Sequence, residues 1–199
     1  MAVMNPVWPI NALYLGPVAL WAYWTAGREQ PAAAHGHHHH GQHRMDGGAK
    51  EPPAWRQVFK GTMHCGAGCT LGDILAETAV FLGGFTLFGT AFGAELAGDF
   101  ALAYLLGLGF QYFAIMPMRG LSPGKGIIEA AKADTLSLLA FEVGLFGWMA
   151  LMRFVLFDPP LRPDQASYWF MMQVGMAIGF LTSYPVNAWL IRRGIKKAM

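Results

Sequence analysis

Charge is what this sequence has least of. Charged residues fill 13% of its 199 positions and hydrophobic residues 54%, whereas an ordinary soluble domain carries about 25% charged residues. That shortage excludes the soluble globular class, and a net charge of +2 without a basic stripe gives nucleic acid nothing to bind. Cysteine is nearly as scarce. Two thiols, Cys65 and Cys69, are too few for an all-Cys iron–sulfur cluster, and the three residues between them depart from the Cys-x-x-Cys redox spacing. A Gly-Lys pair occurs in the turn cluster Gly120 to Gly126, but without the GxxxxGK[ST] spacing of a phosphate loop, which excludes an ATPase within this chain. No two-residue alternation suggests a closed barrel, so helices remain the way to satisfy backbone groups in lipid.

What is abundant is apolar sequence in blocks of about 20 residues, the length that crosses ~30 Å of hydrocarbon. Five such stretches lie near 7–26, 71–93, 100–118, 135–157 and 168–191. The expected fold is therefore all-α, a polytopic transmembrane bundle of about five spans. It divides into a first span (1–26), a flexible His-rich linker (27–60) and a four-span membrane domain (61–199). Eleven bases (Arg28, Arg44, Lys50, Arg56, Lys60, Arg119, Lys125, Arg192, Arg193, Lys196, Lys197) fall on one side of these spans. The other side carries Glu95 and Asp99, then Arg162 among Asp158 and Asp164, with Arg153 at a span end. By the positive-inside rule the N-terminus is outside and the linker and C-terminus are cytoplasmic, in a cell inner membrane. Met1 to Trp8 contain no Lys or Arg, which disfavours reading the first stretch as a cleaved leader.

The chemistry concentrates on the second span. His64, Cys65, Cys69, Asp73 and Glu77 enter it with the last four each four residues apart, so that successive side chains lie one turn up the helix. Cys65 and Glu77 are about 18 Å apart along the axis, too far for one ion with ligands at ~2.0–2.3 Å. The row thus reads as a graded path, with a soft thiol site at the cytoplasmic mouth and a harder carboxylate site deeper in. The preceding linker carries His35, His37, His38, His39, His40 and His43. Imidazoles gather several metals without choosing one, and an idle low-complexity linker is the plainer alternative. Each Cys alone can equally be a small apolar packer, and Asp73 and Glu77 can be structural partners of Lys132.

Further polar and sulfur groups follow. Lys132, Asp134 and Glu142 lie on or just before the fourth span; Glu142, well inside the apolar run, suits a proton relay or a neutral hydrogen-bonded carboxyl. Met149 and Met152, with Met171, Met172 and Met176, offer thioethers for an outer soft-metal site, or simply adaptable packing. Gln173 and Asn187 complete the accessory polar set. Pro185 frees the carbonyl of Leu181 and favours a kink or break in the fifth span.

Several of these stretches also carry a family likeness. Cys65-Gly-Ala-Gly-Cys69-Thr-Leu-Gly-Asp73-Ile-Leu-Ala-Glu77, Lys132-Ala-Asp134-Thr-Leu-Ser-Leu, Trp169-Phe-Met-Met-Gln173-Val-Gly-Met176 and the run from Gly179 through Pro185 and Asn187 to the C-terminus resemble a bacterial membrane family, the domain of unknown function 4396. The resemblance implies a polytopic membrane protein and supplies no reaction. The side chains themselves suggest binding and transport of a soft or borderline metal ion, copper first and zinc second. The alternatives are a membrane oxidoreductase or cofactor-binding subunit using Cys65 and Cys69, and a non-catalytic scaffold. The expected partners are the lipid bilayer and the metal ion, with self-association left open.

Overall fold

Glycine and proline punctuate this chain into helices. The structure, a computed structural model, describes residues 4–27, 54–119 and 123–196. The first segment is not one rod. It runs as α1 (Met4–Leu15), α2 (Pro17–Ala22) and a π-helical turn, Tyr23–Gly27. The break falls at Gly16, whose φ of +53° is costly for any residue with a Cβ, and Pro17 then starts α2 where no amide hydrogen is needed.

Four long helices follow: α3 (Ala54–Gly83), α4 (Ala91–Arg119), α5 (Pro123–Leu151, continued by a π-helical turn at Met152–Leu156) and α6 (Ala166–Arg192). All four are long and apolar enough to cross a membrane, as expected for a multi-pass bundle. Their ends differ from the sequence-based spans. α3 begins at Ala54, so residues 54–60, assigned to the linker, are helical. It also stops at Gly83, because Gly84, Phe88 and Gly89 take positive φ and Leu87 and Thr90 close a small bridged turn. α4 starts nine residues before the expected 100. α6 runs through Pro185 without a break, and the histidines at 35–43 lie outside the described residues.

Two rows of small residues at four-residue spacing set how the helices meet. On α3, Gly68 and Gly72 face the backbone of α4: a Cβ on Gly68 would lie 2.6 Å from Gly107 Cα, and one on Gly72 would collide with Ala103. Such rows let helix backbones approach closely where lipid gives no hydrophobic drive to associate. Residues 69 and 73 are the next positions along the same turns, so the close seam rotates Cys69 and Asp73 into the bundle interior. On α6, Gly175, Gly179, Ser183 and Asn187 repeat the pattern and are buried. A Cβ on Gly179 would lie 2.8 Å from the carbonyl oxygen of Phe141 on α5, and Thr182 donates across to the Ala140 carbonyl at 2.7 Å.

The α3–α4 seam yields the first expected result. Gly72→Val should destabilise the protein by about 1–3 kcal/mol through overpacking, read as a lower melting temperature in detergent. Gly147→Ala, where an added Cβ meets nothing within 4 Å, should change little. Equal melting temperatures for both variants would contradict the close approach.

Candidate functional site

The bundle interior holds two polar clusters, one at the end bearing Arg56, Lys60, Arg192 and Arg193 (the basic end) and one running from mid-bundle toward the other end. At the basic end, α6 stops at Arg192 and Gly194, with φ +69°, turns the chain back. The amides of Ile195 and Lys196 both donate to the Leu190 carbonyl, at 3.0 and 3.2 Å, closing the helix as αL-type caps do. That turn drives Lys196 inward rather than out to solvent. Its side chain is fully buried and reaches Asn187 Oδ1 at 2.9 Å, the Gly61 carbonyl at 3.4 Å and Asp134 Oδ1 at 3.5 Å. Asn187 in turn donates to Ser137 Oγ at 2.6 Å, and Ser183 donates to the Ser137 carbonyl at 2.9 Å. His64 lies within electrostatic reach of Lys196 and Asp134. Its ring sits edge-on to Phe110 at 6.0 Å, and neither ring nitrogen completes a hydrogen bond.

The second cluster is acidic. Asp73 and Glu77 come from α3, Asp99 from α4 and Glu142 from α5; all four are buried, and none of their eight carboxyl oxygens has a hydrogen-bond partner. Asp73 is in electrostatic reach of Glu142, Asp99 and Glu77, so the groups form one connected set. Toward the basic end it meets the Cys69 thiol, which faces Glu142 and Cys65. Toward the other end Glu77 and Asp99 face the buried, unpartnered hydroxyl of Tyr168 on α6. Beyond them Glu95 pairs with Arg153 at 3.6 Å. These two line an open cavity of about 340 Å³ with Thr86 and Arg162.

The sequence-predicted residues sort unevenly. Cys65, Cys69, Asp73 and Glu77 do share one buried face of α3. Cys65 is eleven residues into its helix, about 16 Å from its start. Lys132 is exposed and pairs with Glu129 at 3.3 Å, so it is no partner for Asp73 or Glu77; the buried cation is Lys196, and it serves Asp134. Gln173 faces outward. Met149, Met172 and Met176 belong to the same apolar cluster as Cys65, Cys69, Leu138, Phe141 and Leu145, with Met152 also buried and Met171 half-buried; they pack the core rather than gather at an outer site. Among the described residues, no group of three or more His, Cys, Asp or Glu side chains is arranged to hold a metal ion.

Asp99, Glu95, Tyr168 and Lys196 were missed by sequence reasoning. The signal for Asp99 and Glu95 was present: Glu95, Asp99, Ala103, Gly107 and Gln111 form a row at four-residue spacing on α4, all buried, the counterpart of the row on α3. Asn11 and Tyr14 were missed too. Asn11 donates to the Met63 carbonyl at 2.8 Å and accepts from Tyr14 at 2.7 Å, docking α1 against α3 beside the thiols.

The profile of the family described as "Domain of unknown function (DUF4396)" matches residues 54–196, from the first residue of α3 to Lys196. This chain belongs to the DUF4396 family. Both polar clusters lie wholly within the family region, whereas Asn11 and Tyr14 approach it from outside. No curated protein and no solved structure matches the chain.

Proposed function

We propose that this DUF4396 protein moves a cation, the proton first, across the cell inner membrane through Asp73, Glu77, Asp99 and Glu142. The observation that carries this reading is that four buried carboxyls from three helices adjoin one another, their oxygens without a hydrogen-bond partner, with Arg153 in electrostatic reach of Glu77 at one end. Arg153 reaches Glu95 at the end of the file, and Lys196 is engaged by Asp134. Electroneutrality at membrane depth requires protons on such carboxyls or a cation between them. Intramembrane carboxyl chains are the usual parts of a proton relay. A carboxyl accepts a proton on one oxygen and releases it from the other, so neighbours pass charge along without any heavy atom crossing the bundle. Tyr168, Glu95 and the cavity beside Arg153 connect the file to the end opposite the basic one. On the opposite side Leu138 and Phe141 lie between Glu142 and Asp134, eight residues or about 12 Å apart along α5.

The second reading is passage of a soft metal ion, copper first and zinc second. It is favoured by the Cys65 and Cys69 thiols, which lie one turn apart beside Glu142. The donor set as arranged does not make a cage, so this reading ranks below the proton.

Purified protein reconstituted into vesicles carrying an internal pH dye tests both. The expected result is collapse of an imposed pH gradient well above the leak of empty vesicles. Proton-tight vesicles that pass Cu(I) or Zn(II), with passage lost in Cys65→Ser/Cys69→Ser, would replace the first reading by the second. Vesicles tight to all three ions would overturn both.

A further inference from the structure

A separate feature lies at the basic end, where the first segment leans on α3. Trp21, Ala22, Thr25 and Ala26 on one side, and Trp55, Arg56 and Phe59 on the other, line an open, largely apolar cleft of about 340 Å³. Its walls are indole and phenyl faces, with Trp21 and Trp55 open to the surroundings, in the manner of aromatic side chains at the membrane–water boundary. Among the described residues, Arg56 is the one charged side chain in the lining. Its guanidinium stacks over the Trp55 ring at 5.4 Å, and its Nε is buried without a hydrogen-bond partner. A buried donor atom left unmatched is costly, and a planar guanidinium matches phosphate oxygens two at a time. Lys60 lies one turn further along α3, and the sequence places nine more bases at this end of the bundle.

We propose that this cleft binds one anionic phospholipid of the cytoplasmic leaflet, its phosphate on Arg56 and the upper part of an acyl chain between Trp21, Trp55 and Phe59. An apolar slot with one half-buried guanidinium at its rim suits an amphiphile with one negative headgroup. A free phosphate would leave the slot unfilled, and a zwitterionic lipid would bring its own cation against Arg56. Basic pockets between membrane helices on the cytoplasmic side recognise anionic headgroups by the same chemistry. The site is independent of the carboxyl file, so either proposal can fail alone.

Native mass spectrometry of the full chain, released from detergent after incubation with phosphatidylglycerol or phosphatidylcholine, tests it. The wild type should retain one phosphatidylglycerol under activation that strips phosphatidylcholine. Arg56→Gln should lower that retention at least fivefold. Arg193→Gln should leave it unchanged, since Arg193 stacks on Trp189 at 5.7 Å and lies outside the cleft. Thr25→Trp, which fills the slot and leaves every charge in place, should expel the lipid as well and guards against a folding defect in Arg56→Gln. Equal retention of both lipids, full retention in Arg56→Gln or Thr25→Trp, or an equal loss in Arg193→Gln would overturn the proposal, as would a wild type that carries no lipid or covers this face with a second copy of itself.

Discussion

Glu142→Gln should cut proton flux in reconstituted vesicles at least tenfold while leaving the protein as stable as before or more so. The side chain keeps its shape and loses only the ability to take up and release a proton. Both Glu142 oxygens are buried with no hydrogen-bond partner, so the amide orphans no neighbour, and orphaned partners are where most of the cost of such changes comes from. Asp73→Asn should behave alike, since its oxygens are equally unpartnered. The double variant should be no worse than either single one: links in series fail together, which is the non-additivity expected of residues acting as one network. Flux in vesicles and melting temperature in detergent report the two halves separately. Intact flux with a lower melting temperature would assign these carboxyls to structure instead of transport.

The opposite balance is expected at Lys196. Lys196→Met leaves Asp134 and Asn187 Oδ1 facing a thioether that cannot donate, and removes the weaker contact to the Gly61 carbonyl. Removing one partner of a buried ion pair costs about 3–5 kcal/mol, largely because the other charge stays buried alone. A marked fall in melting temperature should therefore follow. Adding Asp134→Asn should recover most of it, because a pair replaced by neutral groups can be nearly as stable as the pair itself. Gly194→Val gives an independent route to the same defect. An added Cβ there meets no atom within 4 Å, yet the φ of +69° remains, so the damage comes through the turn that delivers Lys196. A Lys196→Met protein that melts like the wild type would show that the inward lysine does not hold the basic end.

The helical class and the four long apolar segments were legible because a spanning helix announces itself by composition alone. Helix ends were not, because apolar residues continue past a helix that stops for backbone reasons. Gly84, Phe88 and Gly89 ended α3 inside a run that reads as membrane. The same error put Asp99 in a loop, when it stands in the third turn of α4 facing Glu77. The row from Cys65 to Glu77 was readable because a four-residue repeat of ionisable groups in an apolar stretch has few bland explanations. What faced it was not readable. Tyr168 is thirty and more residues from every other acidic partner except Glu142, and only the packing of α6 brings it to Glu77. Lys196 was misjudged for a physical reason as well: a lysine just past a helix end normally marks the water side, and here one glycine reverses the chain. The metal expectation rested on residue type and on a graded path along α3, and the thiols and carboxyls do lie in that order on one buried face of the helix.

The connected carboxyl file is tested most directly by infrared difference spectroscopy of the wild type and Glu142→Gln in lipid, followed through a pH titration. If Asp73, Glu77, Asp99 and Glu142 exchange protons as one set, the protonated-carboxyl carbonyl band of the wild type should change with pH. In Glu142→Gln one component should vanish and the remaining ones should shift in frequency and midpoint. A wild-type band that does not respond to pH, or one that loses a single component in the variant with the rest unmoved, would mean four isolated buried acids and would contradict a shared route.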